Sequence, residues 1–107
     1  MSVENTETID VIAVDNKTNK VVLTISDHLA WNSADHLMLL QEKLNSYLRF
    51  IESGELVDKY PKAKGRRVEI NICFKYQMDD LGAEFLRRAA AIIEGAGIDF
   101  DFEVITE

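Results

Sequence analysis

The sequence predicts a two-layer α+β domain, an α/β sandwich in which two amphipathic helices cover one face of a four-stranded sheet. Four segments show the alternation of apolar and polar side chains that strands require. Two longer segments place apolar residues at spacings of three and four, which indicates helices with one buried face. The chain of 107 residues has the usual size of one domain, so residues 1–107 should share a single core.

The first two strands form a predicted β-hairpin. One alternating run covers residues 9–14, and the next has apolar residues two apart at Val21, Leu23 and Ile25. Residues 16–19 between them are polar and contain two asparagines, which is typical of a hairpin turn. Residues 1–7 are expected to be a flexible N-terminus.

The first helix is predicted to begin at Asn32 or Ser33, either of which can cap it, and to stop at Gly54. Its apolar face has helical spacing: Leu37, Leu40, Leu44, Leu48 and Ile51. Residues 55–60 are expected to add one helical turn that Pro61 ends.

The second half of the chain repeats a strand, a helix and a strand. The third strand has the clearest alternation, with Val68, Ile70, Ile72, Phe74 and Tyr76 on one side. Asp79 should cap the second helix and Gly97 should end it; its predicted apolar face is Leu81, Phe85, Ala89, Ile92, Ile93 and Ala96. The fourth strand alternates acidic residues with Ile98, Phe100, Phe102 and Val104.

The element order is therefore ββαβαβ. Right-handed crossovers, together with the single apolar face of strands three and four, place both helices on the same side of the sheet. These conditions favour the spatial order 1-2-3-4, with strand one antiparallel to three parallel neighbours. The side chains expected to be buried together are Leu40, Leu44, Leu48, Ile70, Ile72, Phe85, Ile92 and Phe100.

Composition and charge exclude several classes of function. A net charge of −7 and a pI near 4.8 disfavour nucleic acids and anionic membranes as partners. The uncovered sheet face carries no predicted aromatic ring on which RNA bases could stack. No apolar run approaches the roughly 20 residues that span a bilayer, and the acidic N-terminus does not resemble a signal peptide. With a single cysteine, these features predict a cytoplasmic protein.

One basic segment stands out in this acidic chain. Five of the 12 basic residues lie within nine positions that contain no acid: Lys59, Lys62, Lys64, Arg66 and Arg67. Such a segment is either a solvated connection or a docking element for an acidic surface of another protein. These five residues are our candidate binding residues.

The carboxyl ends of strands two and three are the alternative place for a site, because ligands of open parallel sheets bind there. The candidate acid/base residues at this edge are His28, Trp31, Tyr76 and Asp79. The sequence contains no glycine-rich phosphate loop and no nucleophile elbow. Trp31 and Asp79 also have simpler structural interpretations, as a packing contact and a helix cap.

A metal site or cofactor is not predicted. His28 and His36 lie near Asp27 and Asp35, but their spacing matches no helical pair of metal ligands. Cys73 lies on the polar side of a strand, where an unreactive thiol is expected.

Three segments resemble a known protein family: VVLTISDHLAW, LQEKLNSYLRFIESGE and YPKAKGRRVEINI. They are similar to a family of small bacterial proteins of unknown function, over most of the chain. The resemblance implies a compact αβ fold and carries over no catalytic residue.

The resulting hypothesis is a non-catalytic protein-binding domain, of an adaptor or immunity-like kind, that binds through the basic segment or the open sheet face. The alternative is a small enzyme or small-ligand binder that uses the carboxyl ends of strands two and three. The sequence leaves a homodimer open.

Overall fold

The sequence folds into an open mixed sheet with helices packed on one of its faces. The computed structural model describes residues 9–31 and 35–105, so the predicted caps Asn32 and Ser33 and the N-terminal segment 1–7 lie outside the described residues. The strands are β1 (Val11–Val14), β2 (Val21–Asp27), β3 (Val68–Phe74) and β4 (Asp99–Val104). The helices are α1 (His36–Glu52), α2 (Glu55–Lys59) and α3 (Asp80–Gly95), with a 3₁₀ turn at Pro61–Ala63.

The strand order is β1-β2-β3-β4, as predicted from the sequence. β1 is antiparallel to β2, whereas β2, β3 and β4 are parallel. The register places Leu23 beside Ile70 and Ile70 beside Phe100. Leu23 and Ile70 are fully buried under the helices, so the alternation in these strands correctly predicts their inner face.

The predicted hairpin turn is stabilised by its own polar residues. The Asp15 carboxylate accepts a 2.8 Å hydrogen bond from the backbone N–H of Lys17, which lowers the pKa of Asp15. Asn19 adopts a φ of 61°, a left-handed conformation that asparagine tolerates better than most residues. Because the turn directly precedes β2, it lies at the edge of the sheet where the parallel strands begin.

The buried face of α1 contains polar residues among its apolar ones. Lys43 is fully buried, and its Nζ lies 3.0 Å from Asp10 Oδ1. The fully buried Tyr47 donates a hydrogen bond to the carbonyl of Thr24 and accepts one from the N–H of Asp10, both of 3.0 Å. Burial raises the pKa of the Tyr47 hydroxyl. These contacts anchor the chain entering β1 to the helix layer.

The predicted ends of the helices are confirmed where the structure describes them. Gly54, at φ 89°, follows α1 and precedes the short α2. Asp79 caps α3, because its Oδ1 accepts a 2.8 Å hydrogen bond from the N–H of Gly82.

The predicted buried face of α3 is wrong by about one residue of rotation at Leu81 and Ile92, whereas Ile93 is buried as predicted. Gly82, Leu86 and Ile93 face the sheet, whereas Leu81 is 70% exposed and Ile92 is 68% exposed. Both stripes are apolar, and the helix packs with the stripe of Gly82 against the sheet. Other side chains predicted to face the core are only partly buried or exposed, among them Leu37, Leu48, Ile51, Phe85, Ala96, Phe100 and Phe102. Tyr76 lies beyond the end of β3 and is exposed.

None of the helices in the described ranges has the length and apolar character needed to cross a membrane.

Candidate functional site

Trp31 fills the space between the two loops at the carboxyl edge of the sheet. Its ring centroid lies 4.0 Å from that of His36 and 5.4 Å from that of Phe74. Its Nε1 donates a 3.2 Å hydrogen bond to the backbone carbonyl of Tyr76. The ring also packs against Gly82, where a β-carbon would lie only 2.6 Å from Trp31 Cζ3. Trp31 thus joins the β2–α1 loop to the start of α3.

A buried pair of ionisable groups lies beneath this tryptophan. Asp27 Oδ2 is 2.5 Å from His36 Nε2, and both side chains are almost fully buried. Asp27 Oδ1 accepts a hydrogen bond from the N–H of Leu29, and His36 Nδ1 lies 3.2 Å from the carbonyl oxygen of Ala30. The pair therefore fixes the β2–α1 loop and is not accessible to a substrate.

The four candidate acid/base residues do not form one site. Asp79 serves as the cap of α3, and Trp31 serves as a packing residue. His28 and Tyr76 do line a common depression of about 550 Å³ at the carboxyl ends of β2 and β3. The other residues that line this depression are Ser26, Asp27, Cys73, Phe74, Lys75 and Ile105, of which Asp27 and Phe74 have buried side chains.

Cys73 in this depression is not an activated nucleophile. Burial and the neighbouring Glu103 raise the pKa of its thiol, whose Sγ donates to Glu103 Oε1 at 3.4 Å. A raised pKa keeps the less reactive thiol form at neutral pH. Within residues 9–31 and 35–105, no three side chains of His, Cys, Asp or Glu cluster closely enough to hold a metal ion.

The opposite, amino edge of the sheet contains the candidate binding residues. Arg67 forms two hydrogen bonds with the Asp99 carboxylate, of 2.6 and 2.7 Å, and Lys20 lies 3.0 Å from the same group. Hydrogen bonds from Arg67 and then Lys20 lower the pKa of Asp99 to about 2. The charge of Arg67 is therefore largely neutralised on the sheet surface.

Arg66 connects the basic segment to the β1–β2 turn. Its Nε donates a 2.8 Å hydrogen bond to the carbonyl of Lys62, and its Nη1 donates a 3.3 Å bond to the carbonyl of Asn19. This brings Lys17 of the turn to the same edge as the basic segment. Lys17 is far from the basic segment in the sequence, so we did not predict that they are neighbours, although the predicted strand order already places the turn beside the start of β3.

We define the amino-edge patch as Lys17, Lys62, Lys64 and Arg66, all of which are exposed. Among the described residues these four side chains form no salt bridge, although the positive charge of Lys17 helps to lower the pKa of Asp15 in the same turn. Lys59, also predicted as a binding residue, lies 3.9 Å from Glu55 in an exposed pair. The patch is thus a local excess of positive charge on a protein of net charge −7.

Comparison with known proteins gives no functional assignment. No curated protein and no solved structure matches this chain. The resemblance found in the sequence is nevertheless confirmed by a family model that matches residues 1–106, nearly the whole chain. The chain belongs to the family of unknown function DUF6572.

Proposed function

We propose that this protein is a non-catalytic binding domain that docks an acidic surface of another protein through the amino-edge patch. The observation that carries the proposal is the contrast between two sets of cations at this edge. Lys20 and Arg67 are paired with Asp99, whereas the amino-edge patch has no such carboxylate partner among the described residues.

The position of the patch supports this function. Arg66 is oriented by two backbone carbonyls, so the loop and the turn present their charges together. Clustered cations attract an acidic surface over a distance of roughly 10 Å at 0.1 M salt. They mainly increase the rate of association and select the partner by charge. An adaptor or a toxin-neutralising protein would use such a surface.

A cytoplasmic location is part of the proposal. Its support is Cys73, a free thiol that needs no oxidising compartment.

The experiment is affinity capture from an extract of the native cell, with the tagged wild type and two charge-reversed variants. In the test variant, Lys62→Glu and Lys64→Glu reverse the patch. In the matched control, Arg49→Glu and Arg87→Glu change the net charge by the same amount at other exposed positions. We expect the wild type and the control to retain a shared set of acidic proteins that the test variant loses, and retention by the wild type to fall as salt is added.

Folding is measured alongside, so that loss of binding can be separated from loss of structure. Exposed substitutions usually change the free energy of unfolding by no more than about 0.5 kcal/mol. A test variant that melts like the wild type and still retains the same proteins would contradict the proposal.

A second candidate function, binding of a small molecule, is favoured by the depression at the carboxyl edge. Its volume of about 550 Å³ lies in the range of ligand pockets, and His28, Lys75 and Tyr76 supply polar groups. It ranks second because the depression is broad and open, while Trp31 and Asp79 are engaged in packing and capping. A fragment screen by ¹H–¹⁵N spectroscopy tests it: saturable shifts at residues 26–28 and 73–76 that His28→Ala abolishes would support binding, and their absence would contradict it.

A further inference from the structure

The outer edge of β4 presents backbone groups to which a further strand can add. Among the described residues β4 pairs with β3 alone, and the N–H of Ile105 donates a 2.7 Å hydrogen bond to the carbonyl of Phe74. In a parallel ladder the backbone groups of successive residues point alternately to the two sides of the strand. Those of Phe100, Phe102 and Val104 therefore point away from the sheet, where an extended segment of a partner can pair with them.

The two faces of this edge differ in their chemistry. The carboxylates of Asp101 and Glu103 lie on the uncovered face of the sheet and are exposed. Phe102 lies on the helix-facing side, beside the buried Ile72, and its side chain is still 39% exposed. Side chains of a strand alternate between its two faces. An added strand would therefore place every second side chain beside the carboxylates and the others beside the aromatic ring.

The charge on this edge favours a basic partner. Among the three acidic residues of β4, Asp99 is paired with Lys20 and Arg67. Asp101 and Glu103 form no salt bridge with any residue of the described ranges. Opposite charges on neighbouring strands stabilise their pairing, and like charges oppose it. Lys or Arg side chains on the partner would therefore complement this edge.

Asp101 also controls one of the backbone groups at the edge. Its Oδ1 accepts a 2.9 Å hydrogen bond from the N–H of Phe102, which is one of the groups that point away from the sheet. A neutral or acidic strand that took this N–H would leave the carboxylate covered without a partner, which costs free energy. A Lys or Arg side chain can instead pair with the carboxylate and leave the Phe102 N–H to the ladder. The edge therefore selects its partner by charge.

We propose that the edge of β4 binds an extended basic segment of another protein, in which Lys or Arg alternates with apolar residues, as an added strand. Its basic side chains pair with Asp101 and Glu103, and its apolar side chains cover Phe102. The inference goes beyond the proposed function, because it uses none of the residues of the amino-edge patch and requires the opposite charge in the partner.

The test is a titration of the ¹⁵N-labelled full chain with a synthetic peptide of eight alternating Lys and Val residues and blocked ends. We expect saturable shifts concentrated in residues 99–105, with slower amide hydrogen exchange at Phe102 and Val104 because their N–H groups enter a ladder. A peptide in which Pro replaces two of the Val residues has the same charge but cannot complete the ladder, so it should bind at least about tenfold more weakly. A peptide of alternating Glu and Val should not bind.

Protein variants test the charges. Asp101→Asn together with Glu103→Gln should weaken binding of the Lys–Val peptide about tenfold or more. Glu42→Gln together with Asp58→Asn is the matched control, because it removes two exposed carboxylates elsewhere and should bind like the wild type. Thermal melting verifies that both variants are folded, and the proline peptide tests strand addition on the wild type independently of them.

Three results would overturn the proposal. Absence of saturable shifts in the wild type would show that the edge does not take a basic strand. Equal affinity for the proline peptide would show attraction between charges without strand addition. Equal affinities of the two double variants would show that the peptide binds elsewhere.

Discussion

Gly82→Ala should destabilise the protein although alanine is the better helix former. Gly82 lies in the first turn of α3, directly beneath the ring of Trp31. An added β-carbon would lie 2.6 Å from Cζ3 and 2.8 Å from Cε3 of that ring. The ring cannot retreat easily, because Nε1 is bonded to the carbonyl of Tyr76 and the opposite side packs on His36.

The magnitude follows from two opposing effects. Overpacking of this kind costs about 1–3 kcal/mol, whereas replacing glycine by alanine within a helix gains up to about 1 kcal/mol. The net loss should be about 1–2 kcal/mol. Gly95→Ala is the matched control, since Gly95 also lies in α3 but a β-carbon there would have no neighbour within 4 Å. It should gain roughly 0.5 kcal/mol.

The assay is thermal unfolding followed by circular dichroism, with tryptophan emission as a local readout. For a domain of this size, 1 kcal/mol corresponds to roughly 4 °C in Tm. Gly82→Ala should melt below the wild type and shift the emission of Trp31, which is the single tryptophan of the chain. In a Trp31→Leu background the same substitution should lose its penalty. Equal Tm values for Gly82→Ala and Gly95→Ala, with unchanged emission, would refute the reasoning.

Three further predictions concern the core and its ion pairs. Ile72→Asp puts an unpaired charge at a fully buried position of β3 and should unfold the domain; a soluble variant with a cooperative melting transition would contradict this. Lys43→Met leaves the carboxylate of Asp10 buried without its cation, so the free energy of unfolding measured by chemical denaturation should fall by about 3–5 kcal/mol. The double variant Lys43→Met with Asp10→Leu should recover part of this loss. Asp99 has a folded pKa of about 2 against roughly 3.9 when unfolded, so its ion pairs stabilise the fold above pH 3.9 and lose this effect as pH falls through 2. Asp99→Asn should therefore have a lower Tm than the wild type at pH 7, and the difference should shrink as pH falls and vanish below pH 2; a constant difference would contradict the assignment.

The strands and their order could be predicted because the alternation of apolar and polar residues in a strand can be seen directly in the sequence. Inward-facing apolar residues alternate with outward-facing polar ones over the seven residues of β3. Each inward-facing residue of β3 has an inward-facing neighbour on β2. The single apolar face of β3 and of β4 and the hand of the crossovers then leave few arrangements.

The face of α3 could not be predicted for a physical reason. Leu81 and Gly82 begin two adjacent apolar stripes, and a helix rotated by one residue would bury either. The selection is made by tertiary packing: Gly82 admits the ring of Trp31, which Leu81 in its place could not. Helical periodicity contains no information about that contact.

The buried polar residues of α1 were missed because hydropathy treats them as surface residues. A signal was nevertheless present, since His36 and Lys43 occupy the same spacing of three and four as Leu40 and Tyr47. A polar residue at a core position of a helix needs a partner. Asp10, the partner of Lys43, lies 33 residues away in the chain, so only the fold could identify it. Asp27 lies only nine residues from His36, but its pairing with that residue was not predicted.

The outer edge of β4 has a consequence for the behaviour of the protein at high concentration. Within the described residues no strand pairs with this edge, so its backbone groups are available to a strand from another molecule. Along β4, however, Asp99, Asp101 and Glu103 alternate with the aromatic residues. Two such edges brought together would bring their carboxylates close to one another, and this repulsion keeps molecules from joining their sheets. Asp101→Asn together with Glu103→Gln would remove the repulsion, so this variant is where the protein should begin to associate through its sheet edges.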